Sequence, residues 1–112
     1  MTKITAIWID SETRTTTMVD ITPELKSYYD LIHTDVIDAV RLDNADLVYV
    51  DDEALLKNPK HFFSINGAYP PLAGNGVIVG TYDDDDEDNA GKDASCKHVI
   101  GDTLDVTFFT IA

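Results

Sequence analysis

The most chemically distinctive segment of the chain is a run of six consecutive acidic residues, which are Asp83, Asp84, Asp85, Asp86, Glu87 and Asp88. Clustered carboxylates suit a hard cation such as Ca²⁺, but an EF-hand loop also requires Gly at its sixth position and Glu at its twelfth. Counted from Asp84, those positions hold Asn89 and Ser95. This acidic run therefore does not match a calcium loop, and we predict no metal or other cofactor there.

Cys96 and His98 form a second pair with metal-binding chemistry. A structural zinc site needs about four ligands, and His33 and His61 lie far away in the sequence. As a nucleophile, Cys96 would need a neighbouring base, whereas the adjacent acidic run would raise the pKa of its thiol. We therefore predict no zinc site and no catalytic residue.

A loop with several glycines and prolines spans residues 66–76. Its Gly74-Asn75-Gly76 segment differs from phosphate-binding loops because it lacks the Gly-Lys-Ser/Thr ending and precedes a strand instead of a helix. Tight backbone turns are therefore the better explanation of these glycines. If the loop binds a small ligand, we expect a pocket between this loop and the main helix, with Tyr69, Gly74, Asn75 and Gly76 as its residues.

The chain has 112 residues, with 21 acidic residues against 8 Lys and Arg, and a formal net charge of −13. Such a surface repels phosphate backbones and anionic membranes, which proteins bind largely through Lys and Arg. We therefore expect neither direct nucleic-acid binding nor membrane binding. The excess acid fits a specific binding role about as well as it fits the two general explanations together, which are solubility and adaptation to a salty environment.

The size of the chain predicts a single domain over residues 1–112. Its one cysteine allows no internal disulfide, and its N-terminus has no apolar signal-peptide region. No stretch approaches the ~20 apolar residues of a membrane span. These features predict a soluble, cytoplasmic protein.

The first half of the chain predicts a hairpin followed by a helix. Strands are expected over residues 4–9 and 15–19, because β-branched residues dominate both segments and a turn cluster separates them. Thr22, Pro23 and Glu24 form a typical helix start, with Thr22 as the N-cap, and the helix should end near His33. One face of this helix should pack on the sheet through Leu25, Tyr28, Tyr29 and Ile32.

The second half predicts further strands. Residues 36–42 and 47–50 form a second expected hairpin, residues 77–80 a buried strand and residues 103–111 a final strand. Residues 83–97 show no apolar periodicity, so we expect a mobile acidic loop there. The predicted class is α+β: a twisted, mainly antiparallel sheet of about five or six strands, with one main helix packed on one face.

Three segments together resemble a family of small phage- and plasmid-borne domains of unknown function. They are the acidic turn within Leu47–Lys57, the Phe62-Phe63 pair, and Pro71–Gly80, which ends in Gly-x-Gly-Val-Ile-Val-Gly. The resemblance covers residues 4–82 and implies a viral or mobile-element accessory protein, with no catalytic residues to carry over. The acidic run and the final strand would be additions of this chain.

Two functions fit these features. The first is a non-enzymatic phage or mobile-element accessory protein that binds and modulates a host protein in the host cytoplasm. The acidic run would occupy a basic surface of the host protein by mimicking nucleic acid. The second is a small ligand-binding protein that sequesters a metabolite or nucleotide.

Overall fold

The computed structural model describes residues 3–67, 71–82 and 92–111. Within these ranges there are two sheets and one α-helix. The strands are β1 (Ile4–Asp10), β2 (Thr15–Ile21), β3 (Ile37–Arg41), β4 (Leu47–Asp51), β5 (His61–Ile65), β6 (Leu72–Ala73), β7 (Gly76–Thr81), β8 (Asp93–Ala94) and β9 (Val106–Thr110), and the helix is α1 (Leu25–Ile32). Short 3₁₀ turns lie at Asp43–Ala45 and Ala54–Lys57.

The main sheet has six strands in the order β2-β1-β7-β4-β3, with β8 added beside β7. Its neighbouring strands are all antiparallel. Both hairpins expected from the sequence, β1 with β2 and β3 with β4, are present. The predicted α+β class with a mainly antiparallel sheet is thereby confirmed.

Strand β7 lies at the centre of the main sheet and contributes to the cores on both of its faces. Ile78 is buried with Phe63 and Ile65 of the second sheet. Its neighbours Val77 and Val79 belong to the other core, which contains Tyr28 and Ile32 of α1. A continuous apolar run is expected for a strand that is covered on both faces.

The second sheet has the order β6-β5-β9. It supplies the partner that the final strand requires, because β9 pairs antiparallel with β5. Two parts of the predicted loop 66–76 are strands, since Leu72–Ala73 forms β6 and Gly76 begins β7. A Cβ on Gly76 would lie 2.7 Å from the Phe63 ring, so this glycine allows Phe63 to pack directly against the main sheet.

The helix begins later than the sequence predicted. The N-cap is Glu24, which is extended and makes no side-chain cap, whereas Thr22 was expected to cap. The Glu24 N–H donates to the Thr22 carbonyl at 2.8 Å, so this segment is a tight turn before the helix. As a result Leu25 is 56% exposed and lies outside the buried stripe. No helix in the described ranges is long and apolar enough to cross a membrane.

The helix ends as predicted, at His33. This residue adopts the left-handed conformation, with φ of 63°, and its N–H donates to the Tyr29 carbonyl at 2.8 Å. A left-handed residue after the last turn is a common way for a helix to end.

The chain that follows the acidic run returns to the main sheet. Ala94 pairs with Gly80, and a Cβ on Gly80 would meet the carbonyl oxygen of Ser95. The Thr5 N–H donates to Ser95 Oγ at 2.9 Å, and the Cys96 N–H donates to the Thr5 carbonyl at 3.0 Å. Residues 93–97, which we expected to continue a mobile loop, are therefore held by backbone contacts that hydrophobic periodicity cannot reveal.

Candidate functional site

A cleft of about 190 Å³ lies where the end of α1 meets the loop before β7. We call it the helix-end cleft. Its polar lining residues are Ser11, Glu12, His33, Lys60, His61 and Asn75. Gly74 also lines it, so the structure brings two of the ligand residues suggested by the sequence, Gly74 and Asn75, to a cleft beside the helix. Gly76 lies next to it in β7, and Tyr69 lies outside the described residues.

Asn75 forms the floor of the helix-end cleft and is only 8% exposed. Its side-chain oxygen accepts the Ser11 N–H at 3.2 Å, and its side-chain nitrogen donates to the Leu31 carbonyl at 3.2 Å. Ser11 Oγ donates to the Gly74 carbonyl at 2.5 Å, and Trp8 Nε1 also donates to the Leu31 carbonyl. These bonds tie the end of β1, the end of α1 and the loop before β7 into one unit.

The walls of the cleft are fixed in the same way. The carbonyl of His61 accepts the Gly74 N–H at 3.0 Å, and the carbonyl of Lys60 accepts the Ile111 N–H at 2.9 Å. On the opposite side, His33 is set by its place at the helix end. The backbone around the cleft is therefore held by bonds between segments that are distant in sequence.

Lysine and histidine side chains are concentrated in the cleft, although acidic residues dominate the chain as a whole. Lys60, His33 and His61 line it against one carboxylate, Glu12. None of the three forms an ion pair with an acid in the described part of the chain. Arg14 adds a further cation nearby, because its guanidinium donates to Thr110 Oγ1 at 2.9 Å and that oxygen lies 3.4 Å from His61 Nδ1.

A second polar cluster surrounds His98, which is 1% exposed. Its Nδ1 lies 2.6 Å from Asp46 Oδ2, and its Nε2 lies 2.8 Å from Asp43 Oδ1. Two carboxylate partners favour a ring that donates from both nitrogens, which is the imidazolium. Burial by itself lowers the pKa of His98, but the hydrogen bonds and charges of Asp46 and Asp43 more than offset this and raise it.

Asp46 is completely buried and is the centre of this cluster. Besides the imidazole, its carboxylate accepts the backbone N–H groups of Lys97 and His98, at 2.8 and 2.9 Å. The sequence suggested only a turn residue here, since no local signal connects Asp46 to a segment about fifty residues away. The cluster fastens the chain after β8 to the turn before β4, and it leaves no imidazole nitrogen for a ligand.

Cys96 lies beside this cluster. Burial raises the pKa of its thiol to about 11, and the negative charge of Asp46 contributes to the same shift. The sequence predicted an upward shift from the acidic run, whereas in the structure burial and Asp46 cause it. The thiol is protonated at neutral pH, so it is a poor nucleophile and metal ligand.

A third cluster holds the start of the segment that follows the acidic run. The hydroxyls of Tyr28 and Tyr49 donate to the carboxylate of Asp93, at 2.6 and 2.9 Å, and their ring centroids are 4.7 Å apart. Burial, together with Asp93, raises the pKa of both phenols. The sequence predicted Tyr28 as a packing residue but did not indicate that Asp93 would bind it.

The acidic run, which the sequence suggested as a partner-binding site, lies outside the described residues. Its flanks are described. Thr81 and Asp93 are paired across β7 and β8, so the segment between them starts and ends at the same end of the main sheet. Among the described residues, no group of three or more His, Cys, Asp or Glu side chains is arranged to hold a metal ion.

Comparison with known proteins gives one match. A family model described as a domain of unknown function, DUF3846, matches residues 4–102. The resemblance was expected to stop at residue 82, but the match continues to residue 102 and therefore includes the acidic run. Strand β9 begins after the last matched residue. No curated protein and no solved structure matches the chain.

Proposed function

Since the chain belongs to the DUF3846 family of domains of unknown function, its function must be inferred from its own residues, and we propose a non-enzymatic accessory protein of a phage or other mobile element. It binds and modulates a host protein in the host cytoplasm. Its acidic surface occupies a basic surface of that protein and mimics nucleic acid. The acidic run carries most of this interaction.

The observation that carries this proposal is the pairing of Thr81 with Asp93. It fixes the two described residues that flank the acidic segment on the main sheet, and the bonds from Tyr28 and Tyr49 to Asp93 reinforce one of these flanks. A charged segment anchored at both ends loses less conformational entropy on binding than a free tail does. This supports a presented binding segment over a general solubility tail.

The distribution of charge supports a basic partner. Within the described residues, Lys26, Lys57 and Lys97 lie within 4.0 Å of carboxylates of their own chain. With 21 acids against 8 Lys and Arg, many carboxylates are left without a basic neighbour. Such a field accelerates encounter with a positively charged surface and makes binding sensitive to salt.

We assign no reaction to the protein because, among the described residues, the side chains of His98 and Cys96 are engaged or protonated. Both ring nitrogens of His98 bond to carboxylates. The thiol of Cys96 has a pKa raised to about 11. In our proposal these two side chains therefore stabilise the fold and take part in no reaction.

The proposal is tested by affinity capture from host lysate at low and at high salt. A variant with Asn or Gln in place of all six acids of the run should lose a partner that the native protein retains at low salt. The identified partner should be a nucleic-acid-binding protein, and purified DNA or RNA should compete with the native protein for it. A partner bound equally by the variant, or equally at high salt, would contradict the proposal.

A matched control separates the acidic run from total charge. Six exposed acids outside the run are neutralised together, so that both variants have the same net charge. These are Glu24, Asp35, Asp52, Glu53, Asp102 and Asp105. Equal loss of binding in both variants would show that the overall field is sufficient and that the run has no special role.

The helix-end cleft favours a second candidate function, binding of a small ligand such as a metabolite or nucleotide. The cleft lies between the helix end and Gly74-Asn75, where the sequence suggested a pocket. A ligand that binds only the folded state raises the unfolding temperature by mass action. A thermal-shift screen of nucleotides and central metabolites tests this function, and a screen without any stabilisation would count against it.

A further inference from the structure

We propose that the helix-end cleft binds a small oxyanion group, either a phosphate or a carboxylate, of a metabolite. This inference rests on the second proposed function and specifies its ligand class. Lys60 supplies the main charge, and His33 and His61 supply further hydrogen-bond donors. The three side chains come from the end of α1 and from the start of β5, so only the folded chain brings them together.

Lys60 gives the cleft a positive charge. Lys60 lines the cleft without a described acid as an ion-pair partner, although the chain as a whole has a net charge of −13. Elsewhere in the described residues, exposed lysines such as Lys26 and Lys57 bond to neighbouring aspartates. A cation left without an internal acid can bind an external one.

Hydrogen bonds between distant segments hold the lining of the cleft in place. The Asn75 and Ser11 side chains that form its floor are 8% and 1% exposed and are bonded to backbone groups of other segments. The strand that carries His61 is joined to the loop by the bond from the Gly74 N–H. A site that is already ordered spends less free energy on arranging its groups around a ligand.

The volume of the cleft limits the ligand. At about 190 Å³, it is smaller than the ~300–1,000 Å³ of common drug-sized pockets. It can accept an oxyanion group and a few neighbouring atoms, whereas a whole nucleotide would extend into solvent. Phosphates and carboxylates both have the oxygen acceptors that ammonium and imidazole donors require.

Glu12 is the one carboxylate among the lining residues and opposes an anion. It is exposed, and its backbone N–H donates to Asp10 Oδ1 at 3.1 Å, so its side chain is not needed for that turn. Removing its charge should therefore strengthen anion binding without disturbing the fold. This variant tests the proposal by a gain of binding, which loss of folding cannot imitate.

The test is an NMR titration of the isotope-labelled protein at constant pH and ionic strength with inorganic phosphate, acetate and the uncharged nucleoside adenosine. Phosphate or acetate should shift the amides of the cleft segments, and the stronger of the two identifies the anion source. Lys60→Gln should weaken that binding about tenfold, as expected for loss of a charged hydrogen bond. Glu12→Gln should strengthen it severalfold.

Lys26→Gln is the matched control, because it removes the same charge from an exposed site that does not line the cleft. It should leave the titration unchanged. The proposal would be overturned if the chemical-shift changes were spread over all lysines, or if Lys60→Gln did not affect them. Either result would indicate general ion screening. Cleft shifts with adenosine alone would overturn the oxyanion class but keep the small-ligand function. No shift with any of the three probes would overturn the proposal and remove the support that the cleft gives to that function.

Discussion

At the level of single residues, both ring nitrogens of His98 have carboxylate partners that stabilise the protonated imidazole. This proton therefore contributes to the stability of the folded state. The two ring nitrogens of His98 bond to Asp46 and Asp43, and Asp46 is buried with it. Removal of one partner from a buried ion pair leaves the other charge without compensation, which costs about 3–5 kcal/mol. The attachment of the chain after β8 to the turn before β4 therefore depends on the protonated side chain of His98.

The raised pKa of His98 predicts a pH dependence of stability. The folded state keeps this proton to a higher pH than the unfolded chain, in which a histidine has a pKa of about 6.5. The stabilisation is therefore complete below about pH 6.5 and is lost as the pH rises through the folded pKa. Urea unfolding between about pH 6 and pH 8 should show a decreasing free energy of unfolding.

His98→Gln is the control for this prediction. It should be about 3 kcal/mol less stable than the native protein near pH 6, and the difference should narrow by pH 8. All other side chains are the same in both proteins, so their contributions cancel in the comparison. The Cys96 thiol, with its pKa of about 11, stays protonated in the folded state over this range. A difference that does not change with pH would contradict the prediction.

At the scale of elements, the start of α1 provides a direct comparison between the sequence-based and the observed helix boundary. The N-cap is Glu24, which has extended backbone angles but no capping side-chain bond. Glu24→Asp should supply such a bond and stabilise the protein by about 1 kcal/mol. Thr22→Ala should change stability little, although the sequence predicted Thr22 as the cap.

Thermal or urea unfolding of the two variants measures this difference, with Glu24→Gln as the control for loss of the charge. A large loss of stability in Thr22→Ala, without any gain in Glu24→Asp, would place the helix start at Thr22 after all. The comparison therefore tests the boundary of the helix and not only its presence.

Strand β8 has only two residues, and the cluster of Tyr28 and Tyr49 with Asp93 compensates for its short pairing. Replacement of either tyrosine by Phe should cost about 1.5–3 kcal/mol, as is typical for a hydrogen bond to a charged group. The double variant leaves Asp93 without a tyrosine donor and should increase hydrogen exchange of the β8 amides.

Tyr29→Phe is the matched control for these variants, since it removes the same hydroxyl from the same helix without affecting Asp93. Amides of β7 that face β1 should keep their protection in all variants, because they belong to a different strand pair. Equal exchange of β8 in the native protein and in the double variant would show that the tyrosines do not anchor it.

At the scale of the whole molecule, the net charge of −13 predicts self-repulsion that salt relieves. The Debye length falls to about 4 Å near 0.5 M salt. The free energy of unfolding should therefore rise between low salt and about 0.5 M NaCl. Both six-acid variants described above should be more stable at low salt and less sensitive to added salt.

Urea unfolding across this salt range checks the prediction. A native protein whose stability falls with salt would show that its internal ion pairs outweigh the repulsion. This outcome is not expected, because the pairs of Lys26 and Lys57 are exposed on the lysine side and such pairs contribute little.

The local features of this protein follow from its amino-acid sequence alone. Runs of β-branched residues between turn clusters predict β1 to β4 and β7. Glycines and prolines predict the start of the loop at residues 66–76. Gly74 and Asn75 were suggested as ligand residues for the same reason. These features depend on backbone preferences and side-chain alternation over a few residues, which neighbouring positions are sufficient to specify.

The contacts between distant polar residues are seen only in the folded chain. Asp46 and His98 are 52 positions apart, and Tyr28 and Asp93 are 65 positions apart. His33 and Lys60 reach the helix-end cleft from different elements. The physical reason is that these contacts depend on strand order and on the packing of α1 and the second sheet, which arise from long-range burial. No local pattern contains that information, so the charge of the cleft was visible only once the chain was folded.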